Sequence, residues 1–394
     1  MKRLIFIFAA LTLVVGLLRA QGTLSEDAKI SLLTCSPSEE ASFTVYGHTA
    51  IRVLDPVRKI DYIFNWGIFD FNKPNFTYRF AKGETDYKLG ITTYDYFLAE
   101  YQMRGSGMTE QVLNLNTDEK ARIWDALVEN ARPENVEYRY NFFFDNCATR
   151  PLAIIEKVVD GTLTYHNSAE PQTFRRLINY CMRNKPWLIF GTELALGSPT
   201  DRLATPHEEL FLPLYLEAAF DMATIVDAEG LERPLVVQTN ILAEDVPDRI
   251  EKTLFTPLVA SLILLVIILV ITCLEWRNKK YFRFFDGILF FVTGLAGCTI
   301  FFLAFVSVHP ATWPNWLILW LHPFHLIGAV LIAVKKLHKT ATAYHGINFV
   351  LLTLMLIGWY FIPQTFNLAF LPLVVALWLR SGSALSRAKV NKQA

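Results

Sequence analysis

The spacing of apolar positions divides the chain into two parts. Residues 25–248 mix apolar and charged positions as a globular domain does, whereas residues 254–379 are almost continuously apolar. A bilayer core roughly 30 Å thick is crossed by about 20 apolar residues in helical form. The second part therefore predicts a bundle of about five transmembrane helices, at residues 254–274, 288–308, 316–334, 347–361 and 366–379.

The N-terminus has the pattern of a secretory signal peptide. Residues 1–20 begin with a basic pair, continue as an apolar run over 4–18 and end at the small residue Ala20. A retained membrane anchor is the alternative, because Leu18 and Arg19 make an imperfect cleavage site. Either interpretation exports the globular part.

Lysine and arginine are distributed unevenly among the loops of the apolar part. They follow the first, third and fifth segments and are missing from the loops 309–315 and 362–365. The positive-inside rule then places the globular domain outside and the C-terminus in the cytoplasm. The predicted division is a signal peptide over 1–20, an exported domain over 21–250, a transmembrane domain over 251–380 and a basic cytoplasmic tail over 381–394.

The composition is typical of a membrane protein and also limits the classes of partner that we expect. Of the 394 residues, 53% are hydrophobic, and the formal net charge is zero. Without a basic field we expect no nucleic acid partner. The cysteines and histidines show no clustered spacing, so we expect no metal and no cofactor.

The exported domain carries an odd number of cysteines. Cys273 and Cys298 lie in apolar segments, which leaves Cys35, Cys147 and Cys181. A disulfide between Cys35 and Cys181 would leave Cys147 as a thiol, but the sequence does not fix the pairing.

Alternating β-branched and aromatic residues predict a hairpin early in this domain. Residues 43–54 read as a strand, 55–58 as a turn and 59–71 as the returning strand. With that turn, His48 faces Asn65. Further strands and connectors are predicted over residues 80–98 and 107–115, and a helix over 120–131 with Thr117 or Asp118 as its cap.

A lone thiol lies at the predicted start of a later helix. Apolar residues recur near helical period over 152–159, so this helix begins between Asn146 and Pro151, with Asn146 or Thr149 as the cap. A helix N-terminus favours the thiolate form of Cys147, the nucleophilic form of cysteine. The alternative is a small buried hydrophobic residue, the commoner fate of cysteine.

His48 and Asn65 are what such a nucleophile needs, a base and a group that orients the base. The sequence leaves open whether Asn65 or Asp70 is the orienting group. A hydrogen-bonded structural histidine is the alternative for His48. The histidine strand precedes the cysteine helix, which reverses the usual papain-like order and matches that of circularly permuted papain-like folds.

Four motifs then resemble one family. They are Leu-Thr-Cys-Ser-Pro at 33–37, Tyr-Gly-His-Thr-Ala-Ile-Arg-Val at 46–53, Asn-Trp-Gly-Ile-Phe-Asp-Phe at 65–71 and Asp-Asn-Cys-Ala-Thr-Arg at 145–150. In this order they resemble the Lnb family of bacterial lipoprotein N-acyltransferases, and the likeness continues through residues 197–213 into the apolar tail. Tyr46 stands where phenylalanine is typical, and residues 38–40 stand where a glycine is common.

The resemblance implies a fold, an activity and a location. The fold is α+β, an exported circularly permuted papain-like domain similar to lecithin:retinol acyltransferase, followed by the helical bundle. The activity is transfer of an acyl chain from a membrane phospholipid, through a thioester on Cys147, to the α-amine of the lipidated N-terminal cysteine of diacylglyceryl-modified lipoproteins. The location is the bacterial inner membrane, with the catalytic domain on the periplasmic side.

Two alternative functions use the same residues. One is a membrane-anchored papain-like cysteine peptidase or amidase that acts on the cell wall, with water as the acceptor. The other is a non-enzymatic envelope binding protein in which Cys147 is inert.

Five residues are candidates for substrate binding. Asn146 adjoins the nucleophile, and Asp201 and Arg202 lie in a charged loop that is otherwise read as a solvated connector. His322 and His325 are three residues apart, hence on one helix face near the outer surface of the bundle. Interfacial hydrogen bonding is the alternative for these histidines.

Overall fold

A computed structural model of the protein describes residues 23–165, 170–245 and 253–393. The chain forms two compact units, one of residues 1–181 with 203–249 and one of residues 182–202 with 250–394. Residues 182–202 thus belong to the second unit, although the predicted exported domain included them. The predicted signal peptide and the predicted boundary at residue 250 lie outside the described residues.

The first unit is α+β, as predicted, and is built on an antiparallel seven-stranded sheet. Its strands run in the order β10-β5-β1-β2-β3-β4-β6. A second sheet has three strands in the order β7-β8-β9. In chain order the strands are β1 Lys29–Cys35, β2 His48–Asp55, β3 Ile60–Ile68, β4 Asp86–Thr93, β5 Met108–Leu113, β6 Glu137–Arg139, β7 Thr162–Thr164, β8 Thr224–Val226, β9 Glu232–Pro234 and β10 Val236–Ala243.

Helices complete both units. In chain order they are α1 Phe76–Lys82, α2 Tyr94–Met103, α3 Thr117–Asn130, α4 Thr149–Val158, α5 Phe174–Cys181, α6 Pro186–Ala195, α7 Pro213–Met222, α8 Pro257–Asn278, α9 Arg283–Phe305, α10 Phe324–Ala333, α11 His338–Gly358 and α12 Phe370–Gln393. Of these, α6 and α8 to α12 belong to the second unit.

The main sheet is covered on both faces, and β3 shows why. Successive side chains of a strand point to opposite faces. Phe64 and Trp66 pack with α3 and α4 in the main core, where the Phe64 ring meets the Trp124 ring edge-on at 6.2 Å. Ile63 instead joins a smaller core with Phe97 of α2. Asn65 therefore lies on the α2 face, which is the face that carries the candidate site.

The hairpin is formed by β2 and β3, but its predicted register is wrong by two residues. Ala50, rather than His48, is the cross-strand partner of Asn65. The reason is the turn, since Asp55 still belongs to β2 and its Oδ1 accepts the backbone N–H groups of Val57 and Arg58 at 3.1 Å each. The turn is therefore displaced by one residue along the chain.

Other local predictions also needed correction. Residues Thr44–Tyr46 form a short 3-10 helix, so β2 begins at His48 and not at residue 43. Residues predicted as strand and connector over 80–98 contain the end of α1, β4 and the start of α2. The cap of α3 is Asn116, whose Oδ1 accepts the N–H of Glu119 at 2.8 Å while the Glu119 carboxylate accepts the N–H of Asn116.

The disulfide between Cys35 and Cys181, which the sequence left open, is not formed. Cys35 is a buried thiol, and no disulfide joins it to Cys181 among the described residues. Cys35 ends β1 and is the cross-strand partner of His48, so it lies beside the candidate site.

The second unit is helical, and four of its described segments are long and apolar enough to cross a membrane. These segments are Pro257–Asn278, Arg283–Phe305, Trp316–Ala333 and Lys335–Gly358. The third is broken where Pro323 precedes α10, with a separate 3-10 turn at Trp316–Leu319. The fifth predicted span, 366–379, overlaps α12.

Candidate active site

His48 occupies the first position of β2, where a special backbone conformation delivers it. The preceding Gly47 has φ +75°, and a Cβ added there would lie 2.7 Å from the carbonyl oxygen of Cys35. Only glycine fits this close approach of two backbones without a shift. The Tyr101 ring of α2 stacks on the His48 ring with centroids 6.0 Å apart, which fixes the imidazole plane.

The amide of Asn65 orients the imidazole of His48. His48 Nε2 lies 2.5 Å from Asn65 Oδ1. An amide oxygen only accepts, so Nε2 carries the hydrogen and Nδ1 of the neutral ring is left as the basic nitrogen. This is the tautomer that a general base requires for a proton taken on its other side.

Cys147 is held at the start of α4 by the side chain of Asn146. Asn146 Oδ1 accepts the N–H groups of Ala148 and Thr149 at 2.8 and 2.9 Å. Its Nδ2 donates to the carbonyls of Phe142 and Phe211 at 2.7 and 2.9 Å. Asn146 is only 3% exposed, so its amide positions Cys147 from within the protein, and this burial does not support its predicted role in substrate binding.

Cys147 and His48 shift each other's pKa. Burial on its own raises the pKa of Cys147, but the adjacent His48 ring, which also hydrogen-bonds the sulfur, brings this pKa below the ordinary thiol value. Burial likewise lowers the pKa of His48, and the charge and hydrogen bond of Cys147, with the Asn65 contact, raise it above the ordinary value. The lowered pKa of Cys147 and the raised pKa of His48 both favour a thiolate beside an imidazolium.

Two backbone N–H groups complete the electrostatics of the sulfur. The N–H of Thr49, next to His48, and the N–H of Cys147 itself both lower the pKa of the Cys147 thiol by hydrogen bonding. Fixed donors of this kind stabilise negative charge that develops near the nucleophile. The sequence gives no local signal for Thr49, because its role depends on the backbone and not on its side chain.

Gly67 lies close to both His48 and Cys147. A Cβ built there would stand 3.7 Å from His48 Cε1 and 3.8 Å from Cys147 Cβ, and the residue has φ +98°. Sequence reasoning did not select Gly67, although glycine near the end of a strand is a known sign of close approach.

Cys35 is a second thiol near Cys147 and His48, and its pKa is shifted in the opposite direction to that of Cys147. Burial, and next the charge of Cys147, raise the pKa of Cys35 well above the ordinary value. It is therefore a neutral neighbour of the site and not a second nucleophile.

The other predicted substrate-binding residues lie in the second unit. Asp201 ends the 3-10 helix Ser198–Asp201, and the exposed Arg202 follows it. The His325 ring is fully buried, with Nε2 at 2.8 Å from the Trp320 carbonyl and Nδ1 at 2.5 Å from the Tyr344 hydroxyl. The His322 ring stacks on the His325 ring with centroids 3.9 Å apart, so the two histidines are in contact as predicted. Both ring nitrogens of His325 are hydrogen-bonded within the protein.

Comparison with known families agrees with both units. The model of the Lnb N-terminal periplasmic domain matches residues 23–180, and the model of the Lnb transmembrane domain matches residues 249–392. Neither the curated proteins nor the solved structures contain a match to this chain. Together the two models span most of the sequence, and they describe a multi-pass membrane protein with a periplasmic domain. This chain belongs to the Lnb family.

Proposed function

We propose that this protein is a lipoprotein N-acyltransferase of the bacterial inner membrane. Its acyl donor is a membrane phospholipid, and its acceptor is the free α-amine of the diacylglyceryl-modified N-terminal cysteine of a lipoprotein. The observation that carries the proposal is the arrangement of Cys147, His48 and Asn65 in a periplasmic domain joined to a membrane bundle. That arrangement supports thiol acyl transfer, and the bundle keeps the enzyme among lipid substrates.

The first half-reaction forms a thioester. The Cys147 thiolate attacks an ester carbonyl of the phospholipid, and the N–H groups of Thr49 and Cys147 stabilise the tetrahedral oxyanion. The C–O bond of the ester breaks, and the imidazolium of His48 donates its proton to the departing alkoxide. The products are acyl-Cys147 and a lysophospholipid, with His48 neutral and still hydrogen-bonded to Asn65.

The second half-reaction transfers the chain to nitrogen. Neutral His48 takes a proton from the α-amine as the amine attacks the thioester carbonyl, and the C–S bond breaks. An amide forms and Cys147 leaves as the thiolate, which restores the thiolate and imidazolium pair. Because an amide is more stable than a thioester, the two half-reactions need no further energy source.

Mass spectrometry of lipoprotein N-terminal peptides tests this proposal. Cells depleted of the protein are complemented with the wild type, Cys147→Ala, His48→Ala or Cys35→Ser. We expect the wild type and Cys35→Ser to restore the N-acyl group, and both site variants to leave the α-amine free. Cys35→Ser controls for the loss of a buried thiol beside the site, since Cys35 has no role in the two steps.

A complementary measurement looks for the intermediate. The purified full-length protein, given phospholipid without an acceptor, should gain the mass of one acyl chain on the peptide that contains Cys147. If lipoprotein N-acylation were unchanged in all strains, the proposal that lipoproteins are the acyl acceptor would be wrong. Release of cell-wall peptides by the wild type would favour the amidase alternative.

A further inference from the structure

Five phenylalanines form one connected aromatic surface on the periplasmic domain. The Phe69 ring contacts the rings of Phe43, Phe71 and Phe76 with centroids 5.6, 4.7 and 5.7 Å apart. Phe76 also contacts Phe71 at 5.0 Å and Phe80 at 6.0 Å. We call these five residues the aromatic patch.

Three rings of the aromatic patch face outward, whereas Phe69 also packs against the main core and Phe76 is half-buried. Phe43 is 53% exposed, Phe71 65% and Phe80 52%. Helix α1, which carries Phe76 and Phe80, has no buried residue. A helix that exposes adjacent phenylalanines gains little from its own domain, and contiguous exposed apolar surface of this kind marks an interaction site.

The aromatic patch adjoins the catalytic residues along the chain. Phe69 follows two residues after Gly67, where an added Cβ would lie 3.7 Å from His48 Cε1 and 3.8 Å from Cys147 Cβ. Phe43 precedes the short 3-10 helix that leads into His48. The aromatic patch therefore comes, along the chain, within two residues of a glycine that adjoins both His48 and Cys147.

The chemistry of the aromatic patch selects an acyl chain as its occupant. Its surface is made of phenyl rings, which offer no hydrogen-bond donor or acceptor to a peptide backbone. Two neighbouring cations are already engaged, since Lys73 pairs with Glu137 at 3.1 Å and Arg79 pairs with Asp86 at 2.8 Å. A hydrocarbon chain needs only apolar contact and is the ligand that such a surface fits.

We propose that the aromatic patch binds an acyl chain of the lipid donor and leads its ester carbonyl to Cys147. This inference rests on the proposed function and adds a binding site for the donor. It also predicts how the enzyme distinguishes donors, because only a chain long enough to reach the phenyl rings gains from them.

Donor kinetics with the full-length protein in detergent test the inference. The double variant Phe71→Ser/Phe80→Ser should raise KM for a long-chain phospholipid by about tenfold. Acylation of Cys147 by p-nitrophenyl acetate, whose chain is too short to reach the rings, should be unchanged. Phe71→Leu/Phe80→Leu should restore most of the long-chain activity, and Leu231→Ser, at an equally exposed apolar position away from the patch, should act as the wild type.

A photolabel separates binding from indirect effects. The wild-type protein is reconstituted with a phospholipid that carries a diazirine near the end of one acyl chain, irradiated and digested. We expect label on the peptides that contain Phe71, Phe76 and Phe80, and less of it in the double variant.

The two proposals fail in different ways. If wild-type Cys147 forms no thioester with any ester, the proposed function falls and this inference with it. If the thioester forms but the serine variants use long-chain donors as the wild type does, or the label is found only in membrane helices, the inference alone is overturned. Equal loss with long-chain and acetyl donors overturns it too, because the effect would then lie in the chemistry.

Discussion

His48 Nε2 lies 2.5 Å from Asn65 Oδ1, although the two residues are not cross-strand partners. The contact runs diagonally across the hairpin, from the first residue of β2 to a residue within β3. Diagonal neighbours on one face are within reach of a long side chain. The orientation of the ring is thereby fixed before any substrate arrives, and the neutral ring that follows acylation keeps its hydrogen on Nε2.

Loss of this contact should slow both half-reactions. In Asn65→Ala the imidazole is no longer held with its hydrogen on Nε2, so we expect kcat to fall by about tenfold to a hundredfold. Steady-state N-acylation of a lipopeptide by the full-length protein measures this. Asn240→Ala is the matched control, because Asn240 lies in the same sheet on β10 and bonds Glu110. Equal activity of the two variants would remove Asn65 from the mechanism.

The interaction of Cys147 with His48 should give the reactivity of this thiol an unusual pH dependence. Burial opposes the thiolate, but His48 outweighs burial and lowers the pKa of Cys147, so alkylation should stay fast below pH ~8, where an ordinary thiol is largely protonated. Acylation should fall at low pH as the Cys147 thiolate is protonated. It should fall again at high pH as His48, whose pKa is raised chiefly by Cys147 against the effect of burial, loses its proton.

Removal of the histidine should abolish that behaviour. In His48→Ala burial opposes the thiolate without the compensating cation, so the pKa of Cys147 should rise and alkylation at neutral pH should slow. Mass spectrometry of iodoacetamide adducts against pH measures this. Cys35 serves as an internal reference that should stay unlabelled, because burial raises its pKa. A Cys147 profile that is the same in both proteins would contradict the pair.

The sequence correctly predicted that His48 and Asn65 lie close together, even though the predicted register of the hairpin was wrong. The error was two residues, and side chains alternate between faces with a period of two, so a two-residue error leaves both on the same face. The helix start beside Cys147 was also predictable, since apolar period is a local signal, but the predicted cap was wrong, because Ala148 and not Asn146 or Thr149 is the N-cap. The predicted range from Asn146 to Pro151 contains the observed start at Thr149.

Other features of the site depend on contacts that are distant along the chain. Tyr101 stacks on His48 from α2, a helix that the pattern did not predict. Phe69 and Phe71 were predicted as strand and Phe80 as strand or connector, while Phe76 had no assignment, because exposure cannot be inferred from residue type. Asn146 looked like a ligand-binding amide, and only the packing of Phe142 and Phe211 shows that its hydrogen bonds stay within the protein.

Arg380 shows the same limit in the membrane unit. Its position after the fifth apolar segment indicated a loop cation, but the side chain is fully buried. Its guanidinium bonds Asp286 at 2.6 Å and Glu275 at 2.8 Å, which joins α12 to α9 and α8. A positive residue at the end of a span was therefore part of the helix packing.

Removal of that cation should destabilise the helical unit. Arg380→Met leaves Asp286 buried without its cation and Glu275 with Arg387 alone, and removing one partner of a buried pair costs about 3–5 kcal/mol in other proteins. We expect a lower Tm for the full-length protein in detergent, followed by intrinsic fluorescence. Arg277→Met, at an exposed arginine in the last turn of α8, should leave Tm unchanged. Equal Tm values for the two variants would show that the buried pairs contribute nothing.

Gly67 offers a test that separates backbone strain from chemistry. Gly67 and Gly230 have φ +98° and +82°, so alanine at either position is strained, at a cost of about 1–2 kcal/mol. Only at Gly67 does the new methyl meet the site, 3.7 Å from His48 Cε1 and 3.8 Å from Cys147 Cβ, whereas at Gly230 nothing lies within 4 Å. We therefore expect both variants to lose similar thermal stability, and only Gly67→Ala to slow formation of the Cys147 thioester, because its methyl occupies space beside the reacting atoms. If Gly230→Ala slows the reaction as much, the loss belongs to stability, and the space at Gly67 has no role in binding the ester.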